Sequence, residues 1–312
     1  LACLIFTSGT TGKPKGVMIS HKNVLWTIES LFGQMIPATK FPRIVSYLPM
    51  AHIAARSGDH YQAIYRIGQI FPVPVLEDMK DALPTIKPSV FLAVPRVWEK
   101  FKAGLEAKIE ENPKKDLIAK AIKNGLEKVD YEQKGESVPF MTGVKHKVFS
   151  KLVFSKFKEG LGIVDTEYFV TAAAPMNKDV HRWFHAIGID VTEIYGMTED
   201  TGPATIGVPG NAVESFSKRL KADSIEVPSV LNPIGKVGIP IPGTEVKVME
   251  DGELCIKGNH VAQGYYKSDE QTKETFDSEG WLHTGDLAEI DSEGYVKIIG
   301  RKKEILITSA GK

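Results

Sequence analysis

The 312-residue sequence has little cysteine, no excess of either charge and no long apolar run. Two cysteines, Cys3 and Cys255, cannot make a disulfide framework, so a packed core must hold the fold, and a reducing, cytoplasmic setting is the expectation. Lys plus Arg is 39 and Asp plus Glu is 39, which argues against a dedicated nucleic-acid binder with its basic excess. No stretch approaches the ~18 apolar residues that a membrane-spanning helix needs, and no signal-peptide pattern opens the chain. Internal repeats and low-complexity tracts are lacking too. The chain starts Leu-Ala-Cys-Leu-Ile-Phe, in what reads as a strand already under way, and stops at Ala310-Gly311-Lys312 after another strand-like run. Both ends read as cut.

What is present is an alternation of short apolar runs with helical stretches. Leu1–Phe6, Ile44–Leu48, Val90–Val94, Tyr168–Ala174 and Val191–Tyr195 read as strands, while Val17–Leu31 and Val180–Ile187 carry helical spacing. Strands separated by helices predict an α/β fold with a mostly parallel sheet flanked by helices. Pro95 opens a Lys/Glu-rich helical excursion to about Gly160, with 14 Lys against 9 acidic residues over 100–160. It reads as a solvated surface or as a basic face for peripheral contact with acidic lipid headgroups. From Pro233 the texture becomes short β runs at Thr244–Met249, Glu253–Lys257, Asp286–Ile290 and Tyr295–Ile299, with turns at Asp251-Gly252 and Glu293-Gly294. The expected organisation is an α/β core over 1–209, a small β-barrel-like subdomain over 210–299 and a hinge over 300–312, with 203–232 mainly loop.

The most informative stretch is Thr7-Ser8-Gly9-Thr10-Thr11-Gly12-Lys13-Pro14-Lys15-Gly16. Glycines let backbone N–H groups approach an anion, hydroxyls donate further hydrogen bonds, and lysine adds a point charge suited to phosphate. It is not the nucleoside triphosphatase P-loop: the required second glycine falls on Pro14 or Val17, depending on register.

This loop resembles the signature of the adenylate-forming (AMP-binding) superfamily, and further motifs follow in that family's order. Tyr47-Leu48-Pro49-Met50-Ala51-His52 is similar to L-P-x-x-H, and Tyr195-Gly196-Met197-Thr198-Glu199 to Y-G-x-T-E. Trp281-Leu282-His283-Thr284-Gly285-Asp286 matches W-x-x-T-G-D, and Gly300-Arg301-Lys302-Lys303-Glu304 the hinge motif. The segment Val94-Pro95-Arg96-Val97-Trp98-Glu99-Lys100 resembles long-chain fatty acyl-CoA synthetases in particular.

The resemblance implies ATP-dependent activation of a fatty acid to an acyl-adenylate, then transfer to coenzyme A, with Mg²⁺ as cofactor. Its implied phosphate grip is Thr7, Ser8, Gly9, Thr10, Thr11, Gly12 and Lys15. Thr198 would bond the α-phosphate, Glu199 and Thr7 would hold Mg²⁺, and His52 would line the carboxylate end. Tyr195 would stack on adenine, Asp286 would take the ribose hydroxyls, Arg301 would reach the same ribose or the phosphate, and Ala173, Ala174, Glu193 and Gly196 would complete the nucleotide pocket. Trp98, with Gly196 and Met197, would line the acyl tunnel, and Lys303 would be the hinge. The resemblance further implies an N-terminal portion and a C-terminal domain beyond this chain, with a homodimer as an added partner expectation.

Singly, several of these residues have plainer readings. Trp98 would be a core tryptophan, His52 a core histidine, Glu199 with Asp200 a solvated acidic pair, and Asp286 a turn residue. His181 and His185, four apart, fit an amphipathic helix better than a metal pair. Ala172-Ala173-Ala174-Pro175 departs from the family's Gly-Gly-Ala-Pro and narrows the wall shared by adenine and acyl chain. An aryl- or amino-acid-activating ligase and a non-catalytic nucleotide or fatty-acid binding module remain the alternatives.

Overall fold

In a computed structural model of the chain, the described residues are 1–7, 13–36, 41–208, 210 and 228–302. Three sheets occur among them. A hairpin pairs β1 (Cys3–Thr7) with β2 (Lys15–Ile19). A seven-stranded sheet holds β3 (Arg43–Ser46), β4 (Gln69–Pro72), β5 (Val90–Ala93), β6 (Tyr168–Thr171), β7 (Val191–Tyr195), β8 (Thr205–Ile206) and β9 (Ile239–Pro240), in the order 4-3-5-6-7-8-9. Its first five members run parallel, and β8 and β9 join antiparallel. The third sheet is an antiparallel meander of β10 (Glu245–Val248), β11 (Glu253–Lys257), β12 (Leu282–Ile290) and β13 (Val296–Arg301).

The helical spacing expected over Val17–Leu31 gives way to two elements. Val17, Met18 and Ile19 are drawn into the hairpin because the residues before them turn back on β1, with Thr7 opposite Lys15. The helix starts only at His21, where Ser20 caps it: the Asn23 N–H donates to Ser20 Oγ at 3.1 Å and the Ser20 N–H to Asn23 Oδ1 at 2.9 Å. Within the 203–232 stretch, β8 is too short for periodicity to signal, and residues 211–227 lie outside the described residues. The W-x-x-T-G-D segment runs into β12, so Asp286 is a buried strand residue and not a turn. Gly252 and Gly294 do occupy hairpin turns, at φ +84° and +83°, where a side chain would be strained.

Strand pleating sends alternate residues to opposite faces of the large sheet. Phe91, Ala93, Phe169 and Val191 face one core, sealed by the helices Pro95–Glu110, Lys115–Gln133 and Lys178–Ala186. Val90 and Tyr168 face a second core, built on the hairpin and the helix from His21. Leu92 and Val170, paired across β5 and β6, share this second side and border a cavity. Two segments with wide π-type turns, Glu29–Met35 and Arg56–Tyr61, also border it, a geometry that often marks functional sites.

Close helix packing is visible at Gly125, where an added Cβ would lie 2.0 Å from the Ala186 carbonyl oxygen. Gly104, on an exposed helix face, has nothing within 4 Å of that position. Chemical denaturation is therefore expected to separate two identical substitutions. Gly104→Ala gains about 0.5–1 kcal/mol of helix propensity, whereas Gly125→Ala loses about 2 kcal/mol or more to overpacking.

Candidate functional site

The carboxyl ends of β5, β6 and β7 open into a cleft of about 1670 Å³, the location where open α/β sheets place their ligands. One part is polar. Thr7 and Lys15 enter it from the ends of the hairpin, Thr198 and Glu199 from the turn after β7, and Arg301 and Lys302 from β13 and the residue after it. The other part is an apolar arm walled by Leu31, Phe32, Ile36, Leu92 and Val170. His52 lies exposed at the mouth, at the N-terminus of the short helix Ile53–Ala55.

Lys15 Nζ sits 4.8 Å from the centre of the Tyr265 ring, and the Tyr265 hydroxyl donates to Glu199 Oε1 at 2.8 Å. A cation, a ring and a carboxylate thus form one continuous wall. Tyr265 is delivered by the backbone: Met18 N–H donates to Gly264 O, Tyr266 N–H donates to Gly16 O, and Val17 bridges Tyr265 itself. Burial, with the Glu199 carboxylate beside it, pushes the Tyr265 hydroxyl well above its ordinary value, so it stays a donor. Sequence reading missed Tyr265, since a lone tyrosine in a loop carries no periodic or motif signal.

Asp200 was missed as well. It is fully buried, and its Oδ1 accepts the N–H groups of Met197 (2.9 Å) and Gly202 (3.1 Å). These bonds fold the turn that presents Thr198 and Glu199, and burial raises the carboxyl far above the usual carboxylate range. Glu199 and Asp200 are both buried, so the solvated acidic pair is excluded. Gly196 is needed for close approach: a Cβ there would meet the Gly202 carbonyl oxygen at 1.5 Å.

Of the residues expected at the site, Thr7, Lys15, His52, Ala173, Gly196, Met197, Thr198, Glu199 and Arg301 share the cleft wall. Ser8, Gly9, Thr10, Thr11, Gly12 and Lys303 lie outside the described residues. Tyr195 and Asp286 stand just behind the wall. The Tyr195 hydroxyl donates to Asp286 Oδ2 at 2.7 Å, and Arg301 Nε pairs with Oδ1 at 2.8 Å. Glu193 is buried on the far side, where its Oε1 accepts the Met176 N–H at 2.9 Å and so fixes the turn containing Ala173 and Ala174. Burial pushes its carboxyl up.

Trp98 does not line the cleft. Its indole N–H donates to the Ala93 carbonyl, and its ring packs edge-on against Phe91, Phe169 and Phe184 with 0% exposure. Those partners lie on the opposite face of the sheet from Leu92 and Val170, and the sheet itself keeps the indole out of the acyl arm. His181 and His185 both place Nε2 on the Val191 carbonyl, at 2.7 and 3.0 Å, and act as fasteners between helix and strand. No group of three His, Cys, Asp or Glu suited to a metal occurs among the described residues. A single carboxylate such as Glu199 nevertheless fits Mg²⁺, which is usually held by one or two carboxylates plus phosphate oxygens.

Comparison with known proteins adds the family. Residues 1–266 match the family described as AMP-binding enzyme. The chain belongs to the AMP-binding enzyme family. This AMP-binding chain is 37% identical over 319 residues to fadD11 of Mycobacterium tuberculosis, covering all of itself and 52% of that protein. It is 34% identical over 318 residues to the human long-chain-fatty-acid–CoA ligase ACSBG2, covering all of itself and 45% of that protein. It therefore spans about half the length of these relatives. Among solved structures, ATP-bound MatB from Rhodopseudomonas palustris superposes with a TM-score of 0.64 at 23% identity, over 97% of this chain and 48% of that one. The MenE O-succinylbenzoate coenzyme A synthetase from Bacillus subtilis, in complex with ATP and magnesium, gives 0.63 at 19%, over 96% and 50%. Both likenesses establish the fold of this AMP-binding chain.

Two measurements follow from the geometry. Ala173 has φ +75°, a left-handed conformation that costs a residue with a side chain about 1–2 kcal/mol. Ala173→Gly is expected to raise the unfolding free energy by up to about 1 kcal/mol in denaturant titration, after the entropy of glycine is subtracted. The second concerns His181, pushed down to about 3 by burial and by neighbouring His185, and His260, pushed down to about 4 by burial. Folding favours their neutral forms, so the stabilisation is complete above the unfolded value and is lost as pH falls from about 6.5 toward these values, at about 1.4 kcal/mol per unit for each group. Buried Asp59, Asp200 and Glu193, whose carboxyls burial raises, pull the other way over the same window, so the His181 share is read as a difference: the unfolding free energy of the wild type relative to His181→Phe should fall as pH drops from about 6.5 toward 3.

Proposed function

We propose that this chain carries the nucleotide- and acyl-binding part of a ligase that activates a long-chain fatty acid with ATP. The products would be an acyl-adenylate and pyrophosphate, followed by acyl-CoA and AMP. The observation that carries the reading is the single cleft in which the Lys15–Tyr265–Glu199 wall runs on into an apolar arm. The relatives' names and the ATP and magnesium complexes of MatB and MenE support the same reaction class.

In this reading the substrate carboxylate attacks the α-phosphorus, the bond to pyrophosphate breaks, and negative charge builds on the phosphate oxygens. Lys15 supplies a positive charge from the hairpin, and Thr198 Oγ1 donates to the α-phosphate. Glu199, held by Tyr265 through Oε1, keeps its second oxygen for Mg²⁺, which when bound neutralises further phosphate charge. Thr7 completes that side. Attack of the coenzyme A thiol on the acyl carbonyl then releases AMP.

The same proposal takes the helices 95–161 as a face for peripheral membrane contact. Phe140, Met141, Val144, Val148 and Leu152 are exposed there, beside Lys145, Lys147 and Lys151. No helix among the described residues is long and apolar enough to cross a membrane. The homodimer rests on the resemblance alone.

Acid-dependent ATP–pyrophosphate exchange by the complete gene product tests the reaction. Palmitate should stimulate exchange while benzoate and amino acids do not. Lys15→Ala and Glu199→Gln should each lower it by about 10²-fold. Unchanged exchange in both variants would overturn the assignment, and exchange with no acid despite ATP binding would favour a binding module.

A further inference from the structure

One residue in the apolar arm is out of keeping with a hydrocarbon slot. Gln62 is 1% exposed and forms part of the cavity wall, yet neither Nε2 nor Oε1 has a hydrogen-bond partner among the described residues. Buried amides almost always have partners. The side chain carries two donors and an acceptor with two lone pairs, so all of its capacity is unfilled.

Its surroundings locate it along the arm. Ser57, five residues earlier, donates through Oγ to the Thr201 carbonyl at 3.1 Å, which ties that end of the helix to the turn bearing Thr198 and Glu199. Gly58, one turn before Gln62, lets this helix approach the sheet closely: a Cβ there would meet Leu92 Cδ2 at 2.7 Å. Arg66, one turn after it, donates Nη2 to the Phe32 carbonyl at 2.6 Å and to that of Ile36, and so closes the segment around the amide. The amide therefore lies on the segment that leads away from the activation turn, and it shares the cavity wall with Phe32, Ile36 and Leu92.

We infer that Gln62 makes the arm a subsite for an acyl chain that carries a hydrogen-bonding oxygen, a hydroxyl or oxo group, part-way along its length. The inference rests on the fatty-acid reading above. A methylene chain laid against Gln62 would seal the amide from water and return no hydrogen bond. A hydroxyl satisfies it from both directions, accepting from Nε2–H and donating to Oε1, while an oxo group accepts from Nε2–H. Sites that hydrogen-bond a substrate oxygen discriminate strongly against the analogue that lacks it, because the protein group is then left unpaired.

The test uses the complete gene product and a set of octadecanoic acids: unsubstituted, and hydroxylated near the carboxyl, at mid-chain or at the terminal carbon. Binding is measured by displacement of a fluorescent fatty acid, and activation by ATP–pyrophosphate exchange. The mid-chain hydroxy acid should bind at least about tenfold more tightly than stearate, with the gain in KM and not in kcat. Gln62→Leu should abolish or reverse that preference. Gln62→Met, closer in shape, should do the same, and both should melt at or above the wild-type temperature because an unpaired polar group has been removed. If both acids are activated equally by wild type and variants, the subsite fails and the fatty-acid reading stands; this is also the outcome if an ordered water alone occupies the amide. If no acid of the set binds or is activated, both fall.

Discussion

The constraint on which the cleft depends is the pleat of two adjacent strands. In β5 and β6 each residue commits to one face of the sheet, and its neighbour commits to the other. Leu92 and Val170 give the cavity its apolar floor, while Phe91 and Phe169 anchor the aromatic core beneath the lysine-rich helices. A shift of one residue in register would exchange the two sets, filling the cleft with rings and emptying the core. The same alternation decides the fate of residues far from either strand. Trp98 follows Phe91 and Phe169 to the closed side, and Glu193, opposite Thr171 in β7, goes there as well.

Above that floor the site is shaped by buried carboxylates that do not themselves reach the cleft. Asp200 gathers two backbone N–H groups and curls the turn that projects Thr198 and Glu199. Glu193 takes one N–H and sets the path of the alanine-rich turn. Such groups act through the backbone, so the exposed chemistry inherits its geometry from residues that remain out of contact with any ligand in the cleft. The hairpin does the equivalent by main-chain bonds alone, holding Tyr265 between Lys15 and Glu199.

Much of this was legible in the chain. β7 and β11 were bounded correctly, because each is a compact β-branched or apolar run between turn residues. The ordered motifs brought Lys15, Gly196, Thr198, Glu199 and Arg301 to one cleft from positions almost 300 residues apart. What escaped was contact without pattern. Tyr265, Asp200 and Gln62 owe their roles to three-dimensional neighbours, and no local spacing announces them. Trp98 failed for a different reason: a motif fixes where a residue stands in sequence but not which face of a sheet it serves. Val17–Ile19 shows the remaining limit, where a run with helical spacing was claimed by a strand partner ten or more residues before it.

The network behind the cleft wall has a consequence for the end of β13. Asp286 already has a donor on each carboxylate oxygen, Tyr195 on one and Arg301 on the other. The next residue, Lys302, is tied to Asp251 and Glu253. A carboxylate has about four lone-pair sites, so these two donors leave capacity open, and the half-exposed Arg301 is the more easily displaced of the pair. Movement of the chain at residues 301–302 would therefore strip Asp286 of its cation while Tyr195 still holds the other oxygen, so the end of β13 and the residues behind the cleft wall shift together.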